Sequence, residues 1–310
     1  MQLDYKILWI DNDLKSYIDN GSIKKIETFL SDYGFEPTIE QVTDEAELDK
    51  SLSKHKRYDL IISDFHLNKE NGDVIIYRLR EEKKLTTEIL FYSSRTDFTE
   101  DNSVKERLAF MERINIQYGR DGLLEKIENV IKLTIERILE INATRGLITA
   151  ATSELDVEIE DVYNIVIEQL TEDDLTSKVS KIFSDNYRDV KKKYVKGCKI
   201  KRDTYRSDYK KYFSVSDAFR KWDILKEILK IKPVNGFNLE LFKKYNDEII
   251  RIRNQFAHAK AKEKNGKMVL QGQLGKEDFE FDEDSCILIR KHIIEHKKNI
   301  SNLKNILKSP

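Results

Sequence analysis

Across the first 140 residues, short continuous apolar runs alternate with stretches whose apolar positions recur every three or four residues. An apolar run of four to eight residues bounded by turn or acidic residues marks a strand buried on both faces. Tyr5–Ile10 is such a run and stops at Asp11-Asn12-Asp13; Asp59–Ser63 is another and stops at Asp64. Pro37–Val42, Glu88–Tyr92 and Asn115–Tyr118 are weaker members of the same set. Between them, Ser22–Tyr33 (Ile23, Ile26, Phe29, Leu30, then Gly34), Asp44–Lys54, Asp73–Glu82 and Ser103–Met111 have helical spacing. Five strands with intervening helices predict an α/β, doubly wound, parallel sheet, whose working edge lies where the strands end on their carboxyl side.

The pattern then changes. Leu123–Ile141 reads either as a helix closing the first domain or as a dimer seam or lever running on past it. Residues 142–153 (NATRGLITAATS) are low in charge and are expected to be a linker between a domain at 1–141 and one at 154–310. From Glu154 onward helical spacing dominates, over Asp156–Leu170, Leu175–Tyr194, Val215–Ile231, Leu239–Ala261 and Glu283–Leu307. This predicts an all-α helical bundle of up-and-down type. The last helix carries a seam through Ile289, Ile293, His296, Ile300, Leu303 and Leu307, while Lys267–Gln271 and Phe279–Phe281 suit a small hairpin or an irregular loop.

Composition adds three points. No apolar run approaches the roughly 18 residues of a membrane span, and the beginning of the chain has no signal-peptide pattern, so a cytoplasmic protein without membrane partners is expected. Two cysteines, Cys198 and Cys286, 88 positions apart, make neither a disulfide framework nor a metal spacing. The net charge of −1 conceals an asymmetry: residues 1–140 hold 21 Lys+Arg against 29 Asp+Glu, residues 141–310 hold 34 against 27. The basic second half is the candidate for a polyanionic partner.

At the strand ends of the first half, acids fall after the first and third strands and hydroxyls (Ser93, Ser94) after the fourth. The segments ILWIDND, DLIISDFHLNKENGDVIIYRLR and EILFYSS resemble the receiver domain of two-component response regulators, over about residues 1–140. The resemblance implies that Asp64 is a phosphoacceptor, with Leu67 and the Asn71-Gly72 turn in the segment after it. It further implies that Asp11, Asp13 and Asp64 hold Mg²⁺, that Ser93 and Arg120 sense the phosphate, and that a sensor histidine kinase or other phosphodonor is a partner. Two positions depart from the family: Asn12 stands where a second adjacent acid is usual, and no lysine follows the fifth strand, Arg120 in QYGRDGLL being the nearest cation. Arginine does not replace a compact ammonium freely. A receiver-shaped signalling domain that is never phosphorylated is therefore the alternative.

In the second half, Arg251-Ile252-Arg253-Asn254-Gln255-Phe256-Ala257-His258 joins a guanidinium, an amide and an imidazole late in an amphipathic run. Those groups suit RNA cleavage without a metal, the imidazole moving the proton of a ribose 2′-hydroxyl and the guanidinium holding charge on phosphorus. RNQFAH, late in a long helix and ahead of a terminal amphipathic one, resembles the R-x4-H motif of HEPN domains, over roughly 150–310. The resemblance implies a dimerising helical bundle, in many members a metal-independent endoribonuclease of RNA-targeting toxins and phage defence, with Arg253, Asn254 and His258 carried over. Asn254 and His258 share a helix face, whereas Arg253 and His258 stand about 140° apart on a regular helix, so a homodimer would best gather both around one phosphate.

Residues 191–211 hold ten Lys/Arg with Tyr194, Tyr205 and Tyr209 interleaved; Lys191, Lys192, Lys193, Lys201, Arg202 and Arg206 are the candidate RNA contacts, with a solvated loop as the plain alternative. His292 and His296, four apart, read as surface and seam residues rather than metal ligands. The expected function is thus a receiver-controlled endoribonuclease, a stress or phage-defence effector, needing no cofactor for RNA cleavage. The alternatives are a non-catalytic HEPN adaptor or antitoxin-like binding protein and, third, a DNA-binding regulator, for which no helix-turn-helix spacing is visible.

Overall fold

A computed structural model describes residues 3–43, 45–54, 57–67, 72–93, 112–119, 121–136, 138–139, 141–186, 206–258, 260–264, 267–271 and 279–309. The chain divides into two compact units between Ala143 and Thr144. The first holds β1 (Asp4–Ile10), α1 (Leu14–Asp19), α2 (Ser22–Asp32), β2 (Glu36–Val42), α3 (Glu45–Lys54), β3 (Leu60–Asp64), α4 (Gly72–Tyr77, continued as a π-helical stretch Arg78–Glu82), β4 (Glu88–Ser93), β5 (Ile114–Tyr118) and α5 (Leu123–Glu136). The strands are parallel in the order β2-β1-β3-β4-β5, the flavodoxin-like doubly wound arrangement. Every strand lies within one residue of its predicted place. The helix expected at Ser103–Met111 lies outside the described residues.

Strand alternation divides the core into two layers. Leu8, Ile10, Ile61, Ile89 and Phe91 face Leu48 of α3 and Ile75, Ile76 and Leu79 of α4. Tyr5, Ile7, Trp9, Leu60, Ile62, Leu90 and Tyr92, the alternate positions, fill the other side and are likewise fully buried. On that side the Tyr5 hydroxyl meets Thr134 of α5 at 2.5 Å, and the Trp9 ring packs on Tyr17 of α1 with centroids 4.9 Å apart.

The second unit holds α6 (Ile141–Glu168, of which it takes the part from Thr144), a helix over residues 172–186 (α7), α8 (Arg206–Ser214) and α9 (Ala218–Ile231). Then come α10 (Leu239–Tyr245), a π-helical stretch Asn246–Ile250 that leads into α11 (Arg251–His258), β6 (Lys260–Lys264), β7 (Lys267–Gln271), β8 (Phe279–Phe281) and α12 (Glu283–Lys308). Three starts are fixed by side-chain caps: Asp217, Asn238 and Asp282 each accept the backbone N–H three residues on.

Two expectations are corrected. Residues 142–153 are not a linker but the opening of α6, because Leu147, Ile148, Ala151 and Leu155 form a buried stripe and exposed Gly146 weakens a helix without breaking it. The helix expected to reach Ala261 ends at His258, and the chain turns into β6 of a three-stranded antiparallel sheet, β6-β7-β8. The first and last of the five expected helices run the same way, as alternation along an up-and-down bundle requires. Glu154–Lys297, Glu158–Ser301 and Asp161–Lys304 are bonded at 2.9, 3.3 and 2.6 Å, so partners advance together and α6 and α12 run parallel. The predicted seam of α12 is buried at Ile289, Ile293, His296, Ile300 and Leu303. Among the described residues, no helix is long and apolar enough to cross a membrane.

Candidate functional site

The carboxyl edge of the parallel sheet brings together three polar residues. β1 and β3 pair with Ile10 opposite Ser63, which carries Asp11 to the side of Asp64, and Asp64 stands opposite Tyr92 on β4. Asp11, Asp64 and Tyr92 thus form a row across three strands, and all are buried. Asp64 pays for its position: burial, and next the charge of Asp11, push its carboxyl up to about 6, against the pull of the Phe65 and His66 backbone N–H groups and of His66. Its Oδ1 is buried without a hydrogen-bond partner.

Asp11 is clamped. Its Oδ1 accepts the Asp13 N–H at 2.6 Å and its Oδ2 accepts the Tyr92 hydroxyl. Tyr92 in turn accepts the Trp9 indole N–H at 3.1 Å. Gly72 shows why the segment after Asp64 needs glycine: a Cβ there would sit 2.1 Å from the Asp64 carbonyl oxygen, while the Gly72 N–H bonds the Phe65 carbonyl at 2.8 Å.

Asp13 follows the row two residues after Asp11, its N–H on the Asp11 Oδ1. It is exposed, and its carboxylate accepts the Ser16 hydroxyl at 3.2 Å. No group of three Asp, Glu, His or Cys side chains among the described residues is arranged to share a metal. Of the three expected metal ligands, Asp11 and Asp64 are a buried pair and Asp13 is exposed. Such a pair still fits Mg²⁺, which is held by one or two carboxylates with the rest of its octahedron from water and phosphate, and the unpartnered Asp64 Oδ1 is a suitable donor. Ser93 is fully buried, one residue beyond the row; Ser94, Arg120 and Asn71 lie outside the described residues. Tyr92 was missed in the sequence because it read as one more apolar strand position, although strand register places it beside Asp64.

In the second unit, Arg253 leaves α11 half-buried and reaches Asp156 of α6, Nη1 to Oδ2 at 3.5 Å, while its Nε and Nη2 lie 3.4 Å from the Asn254 Oδ1. Asp156 is itself raised by burial, opposed by Arg253 and Lys221, and its Oδ1 is buried without a hydrogen-bond partner. Tyr245 is buried close enough to feel the charges of Asp156 and Arg253. Arg251 is exposed and pairs with Asp247 at 3.2 Å. His258 is the last residue of α11 and its side chain is outside the described part. Lys191, Lys192, Lys193, Lys201 and Arg202 lie outside the described residues, and Arg206 opens α8 with its side chain likewise outside.

Beside this group, His296 is fully buried and meets Glu248 at 2.8 Å, with His292 at 3.9 Å from the other oxygen of the same carboxylate. Burial lowers the His296 pKa, against the pull of Glu248. Neither Asp156 nor Glu248 could be matched to its partner from spacing, because each contact joins helices far apart in the sequence.

Among the solved structures similar to the N-terminal part of the chain are two of signalling proteins. One is the signal receiver domain of an HD domain-containing protein from Pseudomonas fluorescens Pf-5, at 16% identity and a TM-score of 0.32, with 43% of this chain and 96% of that chain covered. The other is a sensor protein from Polaromonas sp. JS666, at 15% identity and a TM-score of 0.32, with 43% and 98% covered. No family model matches the chain, and no curated protein matches it.

Proposed function

We propose that this protein is a phosphorylation-regulated signalling protein in which the sheet unit accepts a phosphoryl group on Asp64 and the helical unit is the output. The carrying observation is the Asp11–Asp64 pair at the carboxyl edge, with Asp64 Oδ1 unpartnered. Asp64 offers the nucleophilic oxygen. Asp11, held at both oxygens, supplies a second carboxylate of fixed orientation, and buried Ser93 follows the row on β4. Mg²⁺, held by Asp11 and Asp64, would neutralise the two acids and the incoming phosphate. The phosphodonor is a sensor kinase or a small acyl phosphate.

The test is to incubate the full chain with Mg²⁺ and acetyl phosphate and to locate the label by acid-labile phosphate analysis. One phosphoryl group per chain, absent in Asp64→Asn, is expected; an unlabelled wild type that also fails to bind beryllofluoride would sink the reading.

For the output we propose RNA cleavage at Arg253 and His258 in a two-fold dimer. Its support is the fixed, half-buried guanidinium beside Asn254 on the helix that ends in His258. His258 moves the proton of the attacking 2′-hydroxyl, Arg253 stabilises the phosphorane, and the ends are 2′,3′-cyclic phosphate and 5′-hydroxyl. Expression of wild type and His258→Ala, followed by RNA end-group analysis, tests it; 3′-hydroxyl ends, or cleavage that survives the substitution, would refute it. One observation favours a second reading, a non-catalytic adaptor: Asp156 already pairs with the arginine that the phosphate would need.

A further inference from the structure

The hydrogen-bonded chain Trp9–Tyr92–Asp11 is not required by the fold. A phenylalanine at position 92 would fill the strand core as well, and a buried hydroxyl that found no partner would be costly. Here the hydroxyl is fully engaged, accepting from the Trp9 indole and donating to Asp11 Oδ2. Both rings are fully buried, and Tyr17 packs against each, its centroid 4.9 Å from Trp9 and 6.4 Å from Tyr92. With the Asp13 N–H on Oδ1, the Asp11 carboxylate cannot rotate. Each carboxylate oxygen accepts two hydrogen bonds or ligands, so the clamp leaves one lone pair per oxygen free and fixes its direction beside the unpartnered Asp64 Oδ1.

We propose that Tyr92 is a positioning residue for divalent-cation capture: it orients Asp11 from outside the coordination sphere, and Trp9 holds it in place. This rests on the reading of the Asp64 edge as a cation-dependent phosphoryl site. Partners that orient a ligating carboxylate typically change metal affinity about 10–100-fold when removed. Tyr92→Phe deletes the hydroxyl and keeps the ring, so the packing on Tyr17 survives. Trp9→Phe leaves the Tyr92–Asp11 bond in place and removes only its support.

The experiment measures Mn²⁺ binding to the full-length protein by electron paramagnetic resonance of the free ion, for wild type, Tyr92→Phe and Trp9→Phe. The expected result is a dissociation constant raised about 10–100-fold in Tyr92→Phe and less in Trp9→Phe, with the urea midpoint of each variant followed separately. In the wild type, the Trp9 indole N–H resonance, identified by its loss in Trp9→Phe, moves on adding Mg²⁺, a readout that needs no Tyr92 variant. Tyr92→Phe binding within about threefold of a wild type that does bind, far below the 10–100-fold expected, overturns the role of Tyr92 and leaves the phosphoryl site standing. If Tyr92→Phe does not fold, an indole resonance that stays put while Mn²⁺ binds overturns it equally. A wild type that takes up no Mn²⁺ overturns both the inference and the site on which it rests.

Discussion

Asp64 in the sheet unit and Asp156 in the helical unit are the same kind of residue in opposite company. Both carboxyls are raised by burial, and both have an Oδ1 without a hydrogen-bond partner. The nearest charge to matter for Asp64 is another carboxylate, Asp11, whereas Asp156 faces Arg253 and feels Lys221. A buried anion needs a cation. The helical unit supplies Arg253 to Asp156, whereas among the described residues the charges acting on Asp64 are Asp11, which raises it, and His66, which lowers it, a balance that would let the Asp11–Asp64 pair take a cation from solvent. The difference separates a structural acid from a receptive one more sharply than burial alone.

The largest effect that would sharpen this contrast is at Gly72. A Cβ there meets a backbone oxygen, which cannot move aside, so Gly72→Ala is expected to destabilise the sheet unit by about 3 kcal/mol, read as a lowered urea midpoint of Trp9 fluorescence in a Trp222→Phe background. Next is Asp64→Asn. A carboxyl whose folded pKa of about 6 lies above its ordinary value of 3.8 takes up its proton earlier in the folded state. Its contribution therefore makes the unit more stable as pH falls from 7 through 6, levelling off below about 4. Asp64→Asn, in chelator, should then stabilise the unit at pH 7 by about 2–3 kcal/mol and lose that advantage by pH 4. Destabilisation at pH 7 would break the comparison.

Arg253→Ala should act in the other direction, lowering the stability of the helical unit by about 1–2 kcal/mol through an uncompensated Asp156, with Trp222 as reporter in a Trp9→Phe background. The smallest effect is Asp156→Asn alone, within about 1 kcal/mol of wild type, since it removes the buried charge together with its need for a partner. Combined with Arg253→Ala it should recover part of the loss. If Asp156→Asn stabilised as much as Asp64→Asn, the two acids would not differ in kind.

The sheet was legible in the sequence because its strands are buried on both faces and their apolar runs end abruptly at acids: Ile10 before Asp11, Ser63 before Asp64. Helix α1 and the helical state of 142–153 were not. The first is six residues with only Leu14 and Tyr17 buried, and the second has low charge that reads equally as linker or as buried helix. The pairing of Asp11 with Asp64 followed from strand order, but the clamp on Asp11 depended on register and on a tyrosine that looked like core. In the helical unit, Arg253 and Asn254 were visible as a pattern, yet the pairing with Asp156, 97 positions away, needed the packing of α11 against α6.

The π-helical stretch Asn246–Ile250 places one more residue in its turn than an α-helix would. It acts as a phase shifter: everything after it is turned by about 100° around the helix axis relative to a continuous α-helix from Leu239. Arg253 owes its azimuth toward Asp156 to that widened turn. Tightening that turn to α geometry at unchanged length would carry the guanidinium round to another side of the bundle, whereas deleting a single residue within 246–250 would remove the widened turn and leave Arg253 facing Asp156.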